Sequence, residues 1–100
     1  GGMLSSVGRL VRASHERFDG LGYPDGLAGQ QIPIESRIVS ACDAFSAMTT
    51  DRAYRPALSV AEAVDELQRC AATQFDPIVV RVLVEQVLAR AGAEARLCAA

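Results

Sequence analysis

His15 and Asp43 are the residues of this 100-residue chain best suited to chemistry. A hydrolytic metal site gathers nitrogen and oxygen ligands from several elements around an ion that generates hydroxide at neutral pH. A histidine at a loop mouth and an aspartate on a following helix could meet in this way. The spacing equally fits a histidine that ends a helix and an aspartate bonded to a hydroxyl or an arginine. Arg52 and Arg55, three positions apart, form a second candidate set. Their side chains can share a face and together clamp phosphate, because the guanidinium fork matches its oxygens. The alternative for this pair is solvated charge with Asp51 as a local partner.

The elements that position these residues are a loop and the helices around it. From Ser14 to Leu27 the chain carries one histidine, three carboxylates, three glycines and a proline. Glycine reaches backbone angles closed to other residues and proline fixes one more, so this loop is built to hold one shape. Asp19 and Glu16 are expected to hold it by hydrogen bonds, and Tyr23 either anchors it as a buried aromatic or offers a recognition surface. Gly20-x-Gly22-x-x-x-Gly26 has the wrong spacing for a dinucleotide fingerprint and follows no strand.

Leu4, Val7, Leu10 and Val11 predict a first helix over 4–17. A second is expected over 35–50 with an apolar stripe of Ile38, Ala41, Cys42, Phe45 and Met48. Its other side is small or apolar, which predicts a buried helix and an Asp43 in need of a partner. Ser59 with Glu62 forms a capping box for a third helix over 60–72. Asp76 caps a fourth, with Pro77 in its first turn and Gly92 as the expected stop. The fold class is therefore all-α: a bundle fragment of about four helices, with a long ordered loop between the first and second.

The Ser14–Leu27 segment resembles the signature of the HD-GYP domains, metal-dependent phosphodiesterases of the bacterial messenger cyclic di-GMP. Gly22-Tyr23-Pro24 stands as the GYP, after His15-Glu16 and Asp19-Gly20. The likeness continues through Ile32-Pro33, Arg37-Ile38, Asp43-Ala44-Phe45, Ala47-Met48, Asp51-Arg52, Tyr54-Arg55 and Thr73-Gln74-Phe75-Asp76-Pro77, and covers residues 7 to 90. It implies that His15 and Asp43 are metal ligands, for iron, manganese or zinc. It implies that Arg52 and Arg55 hold substrate phosphate, and that Asp19, Gly20, Gly22, Tyr23 and Pro24 belong to a loop that docks a GGDEF-type cyclase domain.

Two departures qualify the likeness. Ser14 stands where the family has a first histidine, and the single histidine of the chain leaves no second imidazole. The family's His-Asp pair lies upstream of the matched stretch. The expectation is the second half of a domain, with no catalytic residue of its own, silent alone, its site incomplete or absent. The other reading is a non-catalytic signalling or dimerisation module.

Composition narrows the partners. A net charge of −2 gives no reason to propose nucleic acid or an anionic membrane. No apolar run reaches the roughly 20 residues of a membrane span. Cys42, Cys70 and Cys98 have neither disulfide-framework nor zinc-motif spacing, so reduced, partly buried thiols in a cytoplasmic protein are expected. Residues 1–3 read as a cloning remnant, 4–92 as the partial domain and 93–100 as a fraying tail. A half-domain would leave an apolar face bare, which predicts a homodimer.

Overall fold

The computed structural model describes residues 2–99, and the side chains of residues 7–94. Four helices follow one another: α1 (Gly2–Arg12), α2 (Ile34–Met48), α3 (Val60–Arg69) and α4 (Pro77–Ala99). Short 3-10 turns at Ala13–His15 and Gly29–Gln31 bracket the glycine loop. The described residues form no strand, only three isolated bridges.

Local chemistry sets most boundaries. Ser59 accepts from the Glu62 N–H at 3.1 Å while the Glu62 carboxylate accepts from the Ser59 N–H at 3.1 Å, so the expected capping box starts α3. Asp76 Oδ1 accepts from the Ile78 N–H at 2.8 Å and starts α4, with Pro77 as its first residue. The first helix ends earlier than expected, because the chain tightens into the 3-10 turn that carries Ser14 and His15. Gly92 does not stop α4. One glycine costs a helix about 1 kcal/mol relative to alanine, and Ala91 and Ala93 on either side favour continuation.

Three helices share one core. Ala41 from α2, Val64 and Leu67 from α3, and Val79, Val80 and Val84 from α4 close around Phe75, with Phe45 and Met48 packed at the margin. α1 stands apart and meets α2, where the Ser36 hydroxyl donates to the Leu10 carbonyl at 3.4 Å. The radius of gyration is 15.5 Å, against about 13 Å for a compact chain of this length.

The expectation of a buried α2 is corrected. Only Ser36 and Ala41 are buried along it, whereas Ile38 and Val39 are about half exposed and Cys42 and Asp43 are open to solvent. The neighbours cover a single side of α2, so its apolar residues are not matched by all-round burial, and the exposed Asp43 needs no internal partner. Cys42 is a free, exposed thiol and Cys70 a half-buried one; the side chain of Cys98 lies outside the described residues.

Ala72 takes φ +69° in the connection after α3, a conformation that side chains disfavour. Ala72→Gly is expected to stabilise the fold by about 1 kcal/mol. A rise in thermal midpoint checks this; an unchanged or lower midpoint counts against it.

Candidate functional site

The glycine loop is fixed from within. Glu16, buried at 6% exposure, sends its carboxylate into the loop and accepts from the backbone N–H groups of Asp25 at 2.8 Å and Leu27 at 2.9 Å. Two loop donors that would otherwise lack partners are satisfied by one charged acceptor. Asp19 receives Arg17 through two guanidinium nitrogens at 3.2 and 3.0 Å and the Leu21 N–H at 3.0 Å. Arg17, followed by the Leu21 N–H, holds the Asp19 carboxyl below its ordinary range. Arg12 of α1 grips Asp25 through two bonds of 2.8 Å and lowers its carboxyl in the same way.

Two glycines answer to geometry in particular. Gly20 has φ +83°, in the left-handed region. A Cβ on Gly22 would lie 2.4 Å from the His15 carbonyl oxygen and 2.5 Å from the Arg17 nitrogen, so no side chain fits there. The loop is also clasped to the α3–α4 connection, where the Phe18 N–H donates to the Gln74 carbonyl at 3.1 Å and the Asp19 N–H to the Thr73 carbonyl at 2.8 Å. Tyr23, joined to Pro24 by a cis peptide, is not a buried anchor: it is 63% exposed. Its ring stacks on His15, with centroids 5.0 Å apart and planes 16° from parallel. Glu16 and the Gly22 contact provide the anchoring.

At the mouth of this loop, α1 and α2 enclose an open cleft of about 250 Å³. Ser14 and Asp43 both line it, with Glu35, Ser36 and Ser40. Glu35, Ser36 and Ser40 beside Asp43 were not singled out in the sequence as site residues, although Glu35, Val39 and Asp43 recur every four residues and so share one helix face. The exposed His15 does not line this cleft, and its ring lies on Tyr23.

These residues do not by themselves fit a metal ion. Among the described residues no three histidine, cysteine, aspartate or glutamate side chains come together as a ligand group. Catalytic sites use about three protein ligands, and the serine hydroxyl of Ser14 is a weak substitute for an imidazole.

Arg52 and Arg55 lie apart from the cleft lining, in a tight turn where each backbone N–H donates to the other's carbonyl, at 2.9 and 3.2 Å. Facing residues of such a pair project to one side. Arg52 is exposed, whereas the Arg55 guanidinium donates to the Ala47 carbonyl at 3.2 Å and caps the end of α2. Asp51 does not pair with either arginine; it accepts from the Ala57 N–H at 2.7 Å. Cys70 is no activated nucleophile, because burial pushes its thiol above the ordinary value.

A second polar centre went unrecognised in the sequence. Arg37 of α2 donates to Asp76 at 2.7 Å and to the Ile32 carbonyl at 2.9 Å, with both side chains of the ion pair largely buried. One bridge thus joins the exit of the glycine loop, α2 and the start of α4.

Comparison with known proteins agrees with this arrangement. A family model described as HD domain matches residues 2–79. The chain is 43% identical over 79 residues to the cyclic di-GMP phosphodiesterase response regulator RpfG of Xanthomonas campestris pv. campestris (strain 8004), covering 78% of this chain and 21% of that protein. It is 35% identical over 74 residues to the 3'3'-cGAMP-specific phosphodiesterase 3 of Vibrio cholerae serotype O1, covering 74% and 16%. A crystal structure of a cyclic GMP-AMP specific phosphodiesterase of V. cholerae superposes with a TM-score of 0.71 at 29% identity, over 83% of this chain and 18% of that one. The chain spans about a fifth of the length of these relatives. No helix of the described residues is long and apolar enough to cross a membrane. With the family model covering most of its length and the Gly22-Tyr23-Pro24 loop in place, the chain belongs to the HD domain family, in its HD-GYP branch.

Proposed function

We propose that this chain is the loop-bearing portion of an HD-GYP-type, metal-dependent phosphohydrolase that acts on cyclic di-GMP in the cytoplasm, and that it is inactive alone. The observation that supports this most is the 43% identity over 79 residues to a protein named a cyclic di-GMP phosphodiesterase. In this reading His15 and Asp43 are this chain's share of an iron, manganese or zinc site that needs further ligands. Asp43 already faces the cleft; the His15 ring reaches it by leaving Tyr23. Ser14 in place of an imidazole favours a site with fewer metals.

Arg52 and Arg55 hold the substrate phosphates, and Arg52 does more of this, because Arg55 is already engaged at the end of α2. The loop residues Asp19, Gly20, Gly22, Tyr23 and Pro24 present a docking face for a GGDEF-type domain, with Tyr23 exposed at its tip. Arg52→Gln is expected to weaken cyclic di-GMP binding to this chain about fivefold to tenfold in calorimetric titration, the scale of one charge-assisted contact. Equal binding by both forms would remove Arg52 from the phosphate site.

A second reading has its own support. The exposed apolar surface of α2 and α4 suits a non-catalytic docking or dimerisation module.

A further inference from the structure

A second open cleft, of about 260 Å³, lies between α1 and the exit of the glycine loop. It shares no lining residue with the Asp43 cleft, and neither Arg52 nor Arg55 lines it. Its polar lining is Arg9 and Arg12 of α1, Arg37 of α2, Asp25 of the glycine loop, and Gln30 and Gln31 of the 3-10 turn that follows. Three guanidinium groups thus meet one carboxylate, in a chain whose net charge is −2.

The hydrogen bonds already made define what the cleft still offers. Arg12 engages Asp25 through Nε and Nη2, and both Asp25 oxygens are taken by those two bonds. Arg37 gives Nε to the Ile32 carbonyl and Nη1 to Asp76, so Nη2 remains. Gln31 accepts from the Ala28 N–H through Oε1 at 3.0 Å, which leaves its amide nitrogen as a donor. Arg9 is exposed and takes part in none of the ion pairs of the described residues. The lining is therefore rich in N–H donors, while its carboxylate acceptor is engaged. A site of that kind recognises an anion.

We propose that this cleft binds the phosphate group of a small phosphomonoester. Such a phosphate presents three acceptor oxygens and close to two negative charges near neutral pH, against donors drawn from two helices and a turn. A carboxylate would bring two oxygens and one charge. The guanidinium fork of Arg9 suits a pair of phosphate oxygens. The volume lies just below the roughly 300 Å³ at which sites for drug-sized ligands begin, so the ligand is small. Leu27, Ile32 and Pro33 also line the cleft and give the organic part of the ligand an apolar surface. The inference stands independently of the phosphohydrolase reading, because the two sets of residues do not overlap.

Titration of the whole chain with inorganic phosphate and with glycerol 3-phosphate tests the proposal, at constant ionic strength and neutral pH. The arginine Nε–H resonances report the binding by NMR, and circular dichroism follows the fold of each variant. The Arg9 and Arg12 signals are expected to shift and saturate, with glycerol 3-phosphate at least as tight as inorganic phosphate. Arg9→Gln is expected to weaken the affinity about tenfold. Gln31→Glu keeps the bond from the Ala28 N–H but replaces the donor by a negative charge, and is expected to weaken it further. Arg81→Gln removes the same charge from α4, outside the cleft lining, and is expected to change the affinity by less than about twofold. Shifts that never saturate would overturn the proposal. So would a loss in Arg9→Gln no larger than in Arg81→Gln, acetate bound as tightly as phosphate, or glycerol 3-phosphate bound more weakly than inorganic phosphate.

Discussion

Gly22→Ala is expected to destabilise the protein by about 3 kcal/mol or more, the upper range for an overpacked site. The new methyl would meet backbone on three sides: the His15 carbonyl oxygen at 2.4 Å, the Arg17 nitrogen at 2.5 Å and the Glu16 Cα at 2.7 Å. None of these is a flexible side-chain end that could swing away. To relieve the contact, the segment Gly22–Leu27 must lift from the segment His15–Arg17. That movement strains the Tyr23 N–H bond to the His15 carbonyl and withdraws the Asp25 and Leu27 N–H groups from the buried Glu16 carboxylate. Gly8→Ala is the internal comparison, since a Cβ there meets nothing within 4 Å. In the interior of α1 it is expected to stabilise by about 0.5–1 kcal/mol. Chemical denaturation of the two variants should therefore move the midpoint in opposite directions. A Gly22→Ala midpoint equal to that of the parent chain would mean that the loop is not held in this shape.

Breaking the Arg37–Asp76 pair is expected to have an effect of similar size. Asp76 is held by a guanidinium at 2.7 Å and by the Ile78 N–H at 2.8 Å, in a setting almost closed to water. Removing Arg37 leaves a buried carboxylate without its countercharge, and removing Asp76 strands the guanidinium and uncaps α4. Arg37→Ala and Asp76→Ala are each expected to cost about 3–5 kcal/mol. Replacing both partners while keeping a cap, as Arg37→Leu with Asp76→Ser, is expected to recover more than half of that loss.

The same pair sets an acid dependence. Burial by itself would raise the Asp76 carboxyl, but the Arg37 hydrogen bond, the Ile78 and Val79 N–H groups and the Arg37 charge together hold it below its ordinary value of 3.8. A carboxylate more acidic in the folded chain than in the unfolded chain binds fewer protons when folded, so its contribution is whole above the unfolded value. It is lost as pH falls through the lowered folded value. The stability gap between the parent chain and Asp76→Asn should stay constant from neutral pH to about 5 and close below about 4. A gap that persists unchanged into strong acid would show that the charge of Asp76 contributes nothing.

The sequence made the helices legible where local chemistry decides them. The Ser59/Glu62 box and the Asp76-Pro77 start act within one turn, and both stand where their residue types require. Burial along α2 was not legible, because small and apolar residues stand on more than one of its faces while only one side meets α1, α3 or α4. Residue type reports a preference for burial, not the presence of a neighbour. The internal frame of the loop was partly legible: a glutamate among glycines suggested a hydrogen-bonded brace, and Glu16 is that brace. The exposure of Tyr23 was not, since an aromatic ring serves equally as an anchor or as a stacking surface, and here it stacks on His15. The Arg37–Asp76 bridge spans 39 positions and leaves no local pattern. Its one trace was an arginine on the face of α2 that also carries Ala41, Ala44 and Met48.

Elemental analysis of the purified chain after incubation with iron, manganese or zinc, paired with a cyclic di-GMP hydrolysis assay, tests the central claim most directly. Two donors, one of them stacked on Tyr23, predict metal well below one ion per chain and no hydrolysis above the buffer rate. Stoichiometric metal with turnover, both abolished by Asp43→Ala, would contradict the account and show that these 100 residues assemble a working site.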